Sequence, residues 1–208
     1  MLTKSQGKRK NLARSRKMVK RKNHPRSSSK ARFTIDGISY TSKSLYEFHL
    51  ECKEAQYKKL IREFSIPVSA KKSRYTTYKP VLDGHEFDSL MEARFYIHLQ
   101  ELKNRGMIKA FEMQVPYELQ PKFTKNNKVF RPISYVADFV VAYKDRVCVI
   151  DTKGKETVEF KIKKKLFEYK FPELELSILQ YYPKTGQWLE LDTIRKLIRK
   201  EKNAAAGK

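Results

Sequence analysis

Residues 135–154 read YVADFVVAYKDRVCVIDTKG, and this stretch decides the fold. Ile133 to Tyr143 predicts a long strand, closed by the turn pair Lys144-Asp145. Val147 to Asp151 is a short, almost continuously apolar run, the pattern of a strand buried on both sheet faces. Two acids interrupt this apolar context: Asp138 inside the first strand and Asp151 at the end of the second, with Lys153 two residues on. Residues i and i+2 of a strand share a face roughly 6–7 Å apart, so Asp151 and Lys153 can line one site. Asp138 belongs on the neighbouring strand, within about 5–10 Å if the register permits.

A lone carboxylate in an apolar strand is costly unless paired or metal-bound, and adjacent carboxylates repel unless a cation neutralises them. Mg²⁺ suits such oxygen ligands and retains waters, so it can activate water and neutralise a phosphodiester. The expected site is a cation held between Asp138 and Asp151, with Lys153 positioning water or phosphate. Simpler roles stand beside these. Asp138 also suits a buried hydrogen-bond acceptor, and Asp151 with Lys153 suits a strand-end salt bridge beside Gly154.

Working outward, Phe111 to Leu119 reads as extended and Leu174 to Tyr182 as another strand. Ser89 to Asn104 reads as a helix closed by Arg105-Gly106. Thr157 to Tyr169 reads as a second helix, rich in Lys. Helices on both sides of a small mixed sheet make the expected class α/β (α+β). Ser89-Leu90-Met91-Glu92 is a capping box, in which Glu92 satisfies a backbone N–H. Gln114 is either an edge-strand polar residue or a site residue. Lys155, Lys161, Lys163, Lys164 and Lys165 follow the Asp151-Thr152-Lys153 motif. They form either a DNA-backbone cradle, with Lys161 and Lys165 sharing a face near the catalytic edge, or a solvated face.

The wider chain has 208 residues and a formal charge of +23, which makes a polyanion the default partner. Residues 1–32 hold thirteen Lys or Arg and no acid, leaving +10 for the rest. They read as a disordered basic arm. Residues 33–74 form a strand–helix unit: apolar residues flank the turn Asp36-Gly37, then a helix spans Ser44 to Arg62 and Lys71-Lys72-Ser73-Arg74 links onward. Residues 75–185 are the core, and 186–208 a basic helix (Asp192 to Lys202) with a frayed AAAGK tail. No apolar run is long enough for a transmembrane helix, no secretory signal opens the chain, and no membrane partner is expected. Cys52 and Cys148 are too few for a disulfide framework, which favours a reducing, cytoplasmic setting. His24, His49, His85 and His98 lack paired metal spacing and are assigned to the surface or to helix faces.

A weak repeat joins IDGISYTSKSLYEFHL (from Ile35) to LDGHEFDSLMEARFYIHL (from Leu82). Later come the apolar-Pro pairs Ile66-Pro67 and Val115-Pro116. Duplication and shared turn chemistry explain it equally. With small gaps, Glu47 answers to Glu92. No strand-borne acid pair follows it, so the first copy is read as non-catalytic.

The acid–acid–lysine trio resembles the PD-(D/E)xK nuclease superfamily, which has a restriction-endonuclease-like core. Ala137 precedes Asp138 where the superfamily name has Pro, and the second acid is Asp151 rather than Glu. The order Glu92, Gln114-Val115-Pro116, Asp138-Phe139, Asp151-x-Lys153 is similar to TnsA-like endonucleases. Phe87-Asp88-Ser89, QVPYELQPKF and KIKKKLFEYKFP also resemble a phage-encoded family likened to Holliday-junction resolvases. The resemblance spans roughly residues 78–182. It implies Mg²⁺ (with Mn²⁺ as a substitute) held by Asp138, Asp151 and Glu92. It further implies catalysis by these with Lys153 and Gln114, and action on double-stranded or branched DNA in recombination, with a homodimer possible. The competing readings are a non-catalytic nucleic-acid binder on a nuclease-like fold, a sequence-specific or transposon-type endonuclease, and an assembly protein of a particle.

Overall fold

The computed structural model describes residues 33–40, 42–67 and 78–206. The basic arm, the Lys71-to-Arg74 linker, His24 and the last two residues lie outside this set.

Strands β1 (Phe33–Ile35) and β2 (Ile38–Tyr40) form a hairpin on Asp36-Gly37. Both turn residues take positive φ, +50° and +75°, as a type I′ turn requires. Helix α1 (Lys43–Tyr57) follows, then β3 (Phe64–Ser65). The pattern then recurs. Strands β4 (Val81–Leu82) and β5 (His85–Glu86) turn on Asp83 (+51°) and Gly84 (+81°), and α2 (Leu90–Asn104) follows.

Both helices have 15 residues and both end in a Schellman motif. In α1, Leu60 N donates to Ala55 O (2.9 Å) and Lys59 N to Gln56 O (3.0 Å). In α2, Met107 N donates to Leu102 O (2.9 Å) and Gly106 N to Lys103 O (3.0 Å). Lys59 therefore sits at φ +57° where the second copy has Gly106 at +67°. This cap is why α1 stops at Tyr57 instead of running to Arg62, and why Leu60 and Ile61 lie beyond the helix. A constant offset, without gaps, pairs Asp36 with Asp83, Ser42 with Ser89, Phe48 with Phe95 and Phe64 with Phe111. The position answering to Glu92 is then Leu45, not Glu47. The shared turns, helix length and caps support duplication.

The main sheet has the order β12-β11-β10-β9-β6. Strand β6 (Ala110–Gln120) runs into the small hairpin β7 (Phe123–Lys125) and β8 (Lys128–Phe130), then returns as β9 (Ile133–Ala142). Strand β10 (Val147–Thr152) crosses through α3 (Val158–Lys170) to β11 (Glu175–Tyr182), its parallel neighbour. Strand β12 (Gln187–Glu190) leads into α4 (Leu191–Ala206). Among the described residues there are four helices and no closed barrel, so the class is α+β with a mixed sheet. The AAA segment continues α4 to Ala206, as alanine's high helix propensity favours.

Strand β10 shows why its sequence is apolar throughout. Cys148 and Ile150 face one core with Phe95, Leu99 and Phe139, whereas Val149 faces another with Phe160 and Phe167. Both cysteines are buried and free. Phe139 is fully buried, its ring 5.1 Å from that of Phe95. Phe139→Ala should cost about 3–5 kcal/mol. Chemical denaturation would read this as a lower midpoint at an unchanged slope; an unchanged midpoint would contradict the packing.

His49 lies on α1 but is buried, its Nδ1 2.6 Å from the Tyr40 hydroxyl. Among the described residues, no helix is long and apolar enough to cross a membrane.

Candidate active site

Asp138 stands where β9 loses regular pairing on both sides. The ladder to β10 runs from Val147↔Ala142 to Ile150↔Phe139 and ends there. The next pair in that register would be Asp138 with Asp151, but the ladder does not include it. On the other side Met113 pairs with Phe139 and Val115 with Ala137, while Gln114, opposite Asp138, is skipped.

Gln114 adopts φ +54°, uncommon for a residue with a Cβ. At this point both strands change the face they present. Phe111, Met113, Phe139 and Val141 pack on the α2 side, but Tyr117, Leu119, Tyr135 and Ala137 pack on the α3 side. Simple alternation would place Ala137 and Phe139 on one face. The kink at Gln114 and Asp138 therefore sets the acid at the reversal of two strands.

The gap is closed by side chains. Thr152 donates its N–H (2.8 Å) and hydroxyl (3.2 Å) to Asp138 Oδ2. Asp151 is only 1% exposed; its Oδ1 accepts from the Tyr135 hydroxyl at 3.0 Å and its Oδ2 from the Lys153 ammonium. The Lys153 Nζ also lies 4.4 Å from the centre of the Phe160 ring. Glu92, 8% exposed, performs the capping role: Oε1 accepts from the Ser89 hydroxyl (2.8 Å) and Oε2 from the Asp88 N–H (3.2 Å). The α2 N-terminal turn also abuts the end of β10, since a Cβ on Gly154 would lie 4.0 Å from Met91 Cε.

These groups feel one another. The Asp138 carboxyl is pushed up to about 7, first by burial and then by the charge of Asp151. Glu92 adds to the rise, while the Thr152 N–H and Lys153 oppose it. Burial raises Glu92 as well, offset by its Ser89 and Asp88 bonds and by Lys153. Burial and Asp151 push the Tyr135 phenol far above its usual range.

The two aspartates nevertheless open onto different depressions. Asp138 and Gln114 line a cavity of about 380 Å³ with His85 and Glu86 of the β4–β5 hairpin. Asp151 and Lys153 line one of about 300 Å³ with Ser134, Thr157 and Lys163. Among the described residues, no three His, Cys, Asp or Glu side chains form a metal-holding group.

On α3, Lys163 rather than Lys161 or Lys165 reaches the site, and it pairs with Glu159 at 3.0 Å. The inner stripe of α3 is Phe160, Lys163, Lys164 and Phe167, which leaves Lys161 and Lys165 on the outer face. Lys155 is exposed in the loop before the helix. Sequence reasoning gives no site role to Tyr135, Thr152 or Glu86, and it assigns His85 to the surface or to a helix face. Tyr135 sits three residues before Asp138, which only the kink brings to the same side as Asp151. Nothing in the sequence ties the β4–β5 turn to β9.

A family model described as a protein of unknown function, DUF1064, matches residues 72–186, more than half of the chain. The chain belongs to the DUF1064 family. No curated protein matches it. Glu92, Gln114, Asp138, Asp151, Lys153 and the α3 lysines all fall within the DUF1064 segment, whereas α1 and α4 fall outside it.

Proposed function

We propose that this DUF1064 protein is a Mg²⁺-dependent DNA endonuclease that hydrolyses phosphodiester bonds in branched or structured DNA. The carrying observation is that Asp138 accepts from the N–H of the residue after Asp151 and feels the Asp151 charge, with Lys153 bonded to Asp151. The donors suit the ion, because Mg²⁺ needs only one or two carboxylates and completes its shell with water and substrate phosphate. Asp138 and Asp151, which open onto different depressions, would have to turn toward one another to share it, with Glu92 alongside. Bound there, it supplies neutralisation of phosphate charge and a more acidic water.

The protein's own groups do the rest. Tyr135 and Thr152 fix the two carboxylates. Phe160 and Asp151 hold the Lys153 ammonium, which orients water or a phosphate oxygen. Gln114 lies beside Asp138 to position the scissile group, and Lys163 draws a phosphate toward the Asp151 depression. Lys155, Lys161, Lys164 and Lys165 extend the positive field over α3. The net charge of +23 supports a nucleic-acid substrate. A phage-encoded enzyme of this kind, acting as a homodimer, would cut paired strands during recombination in the host cytoplasm.

The test is incubation of the full chain with a four-way junction and a matched duplex, with Mg²⁺, with Mn²⁺ and with chelator. Metal-dependent cutting that favours the junction is expected. Uncut DNA under every metal and salt condition, with binding intact, would leave a non-catalytic binder.

A further inference from the structure

The β7–β8 hairpin has no place in the site described above, yet its composition is unusual. Between Glu118 and Asp138 the chain carries Lys122, Lys125, Lys128 and Arg131 and no acid. Every residue from 121 to 132 is exposed, and among the described residues no carboxylate pairs with any of these four cations.

The ladder pairs Phe123 with Phe130 and Lys125 with Lys128. The two rings stack, 4.6 Å apart and 3° from parallel, while remaining exposed. In a two-stranded ribbon the pairs at i and i+2 share a face, so one face presents two rings and two ammoniums. The Lys128 Nζ lies 5.5 Å from the Phe130 ring.

Like charges directly opposite each other on paired strands are destabilising. Lys125 and Lys128 are such a pair, and a polyanion would relieve them. The turn residues Asn126 and Asn127 both take positive φ, +49° and +56°, so the ribbon is a tight, preformed type I′ hairpin. The DNA major groove admits a two-stranded ribbon of this kind. The hairpin also leads directly into Ser134, Tyr135 and Val136, which wall the depression holding Asp151 and Lys153.

We infer that the β7–β8 hairpin is a duplex-DNA-binding ribbon that enters the major groove beside the candidate active site, with Lys125 and Lys128 contacting phosphates. The inference deepens the proposed function and rests on its DNA substrate, but not on its hydrolytic chemistry.

The experiment is a salt series of anisotropy titrations with a labelled 20-base-pair duplex, in chelator so that no cutting occurs. It compares the wild type, Lys125→Ala/Lys128→Ala, and Lys196→Ala/Lys200→Ala, which removes the same charge from exposed positions on α4. For the hairpin variant, the slope of log affinity against log salt should become shallower by about two. Its affinity at ~0.1 M salt should fall on the order of ten- to hundredfold. Its melting temperature should not fall, because a repulsive pair has been removed. An unchanged slope, an equal loss in the α4 variant, or no binding by the wild type would overturn the inference. Loss of the nuclease reading would appear separately, as uncut DNA in the Mg²⁺ assay.

Discussion

Asp138→Asn should abolish cutting while making the protein more stable at pH 8. A cation pocket that loses one carboxylate loses several kcal/mol of charge stabilisation. At about 1.4 kcal/mol per factor of ten, the rate should fall on the order of 10³-fold or more. Stability should move in the opposite direction. The Asp138 carboxyl rises from its usual value of 3.8 to about 7 on folding, because it is buried near Asp151 and Glu92. The folded protein therefore holds this proton more tightly than the unfolded chain. Stability is fully present below about 4 and falls as pH rises through the window to about 7. Above that window the ionised group costs a few kcal/mol, about 4 at most. Asn keeps an oxygen for the Thr152 N–H and removes the charge. The variant should melt several degrees higher at pH 8, with the gap closing by pH 4. Melting curves across pH read this directly. A variant equally or less stable at pH 8 would mean that Asp138 carries no electrostatic stress.

Lys153→Met should have the opposite sign. Lys153 is the cationic partner of a carboxylate that is 1% exposed. Removing one member of a buried pair strands the other, at a cost on the order of 3 kcal/mol. For a chain of this size that is about 6–12 °C of melting temperature. Cutting should also be lost, since nothing then orients the water or phosphate. The double variant Lys153→Met/Asp151→Asn should recover most of the stability but none of the cutting. A double variant no more stable than the single would show that the pair contributes nothing to the fold. Together, Asp138→Asn and Lys153→Met should shift stability in opposite directions at one end of the sheet.

The sequence carried most of the main sheet because its strands have distinctive patterns. The run Val147 to Ile150 reads as a strand covered on both faces, and Cys148, Val149 and Ile150 pack into two cores. The Asp36-Gly37 and Asp83-Gly84 turns were legible because Asp-Gly suits two successive positive φ values. Asn126-Asn127 makes the same turn, but its flanking strands are fully exposed and have no apolar alternation to reveal them. Strand β12 is four residues with polar ends, too short for periodicity to show.

The candidate site was legible as a list of residues and not as a shape. The i, i+2 rule correctly joined Asp151 to Lys153. It could not anticipate that β6 and β9 reverse their faces at Gln114 and Asp138, because a positive φ at glutamine leaves no mark in the sequence. That reversal brings Tyr135 to Asp151 and turns Asp138 toward His85 and Glu86.

The two copies of the hairpin and helix answer to different demands. At the first turn of α2, one side chain must cap the helix and also feel the charges at the strand ends. At the matching turn of α1 stands Leu45, fully buried, whose only obligation is to fill space. Any apolar residue of similar volume would serve there, so the upstream copy is free to drift in sequence while acting as a buttress. The downstream copy is held to a single side chain by two unrelated constraints.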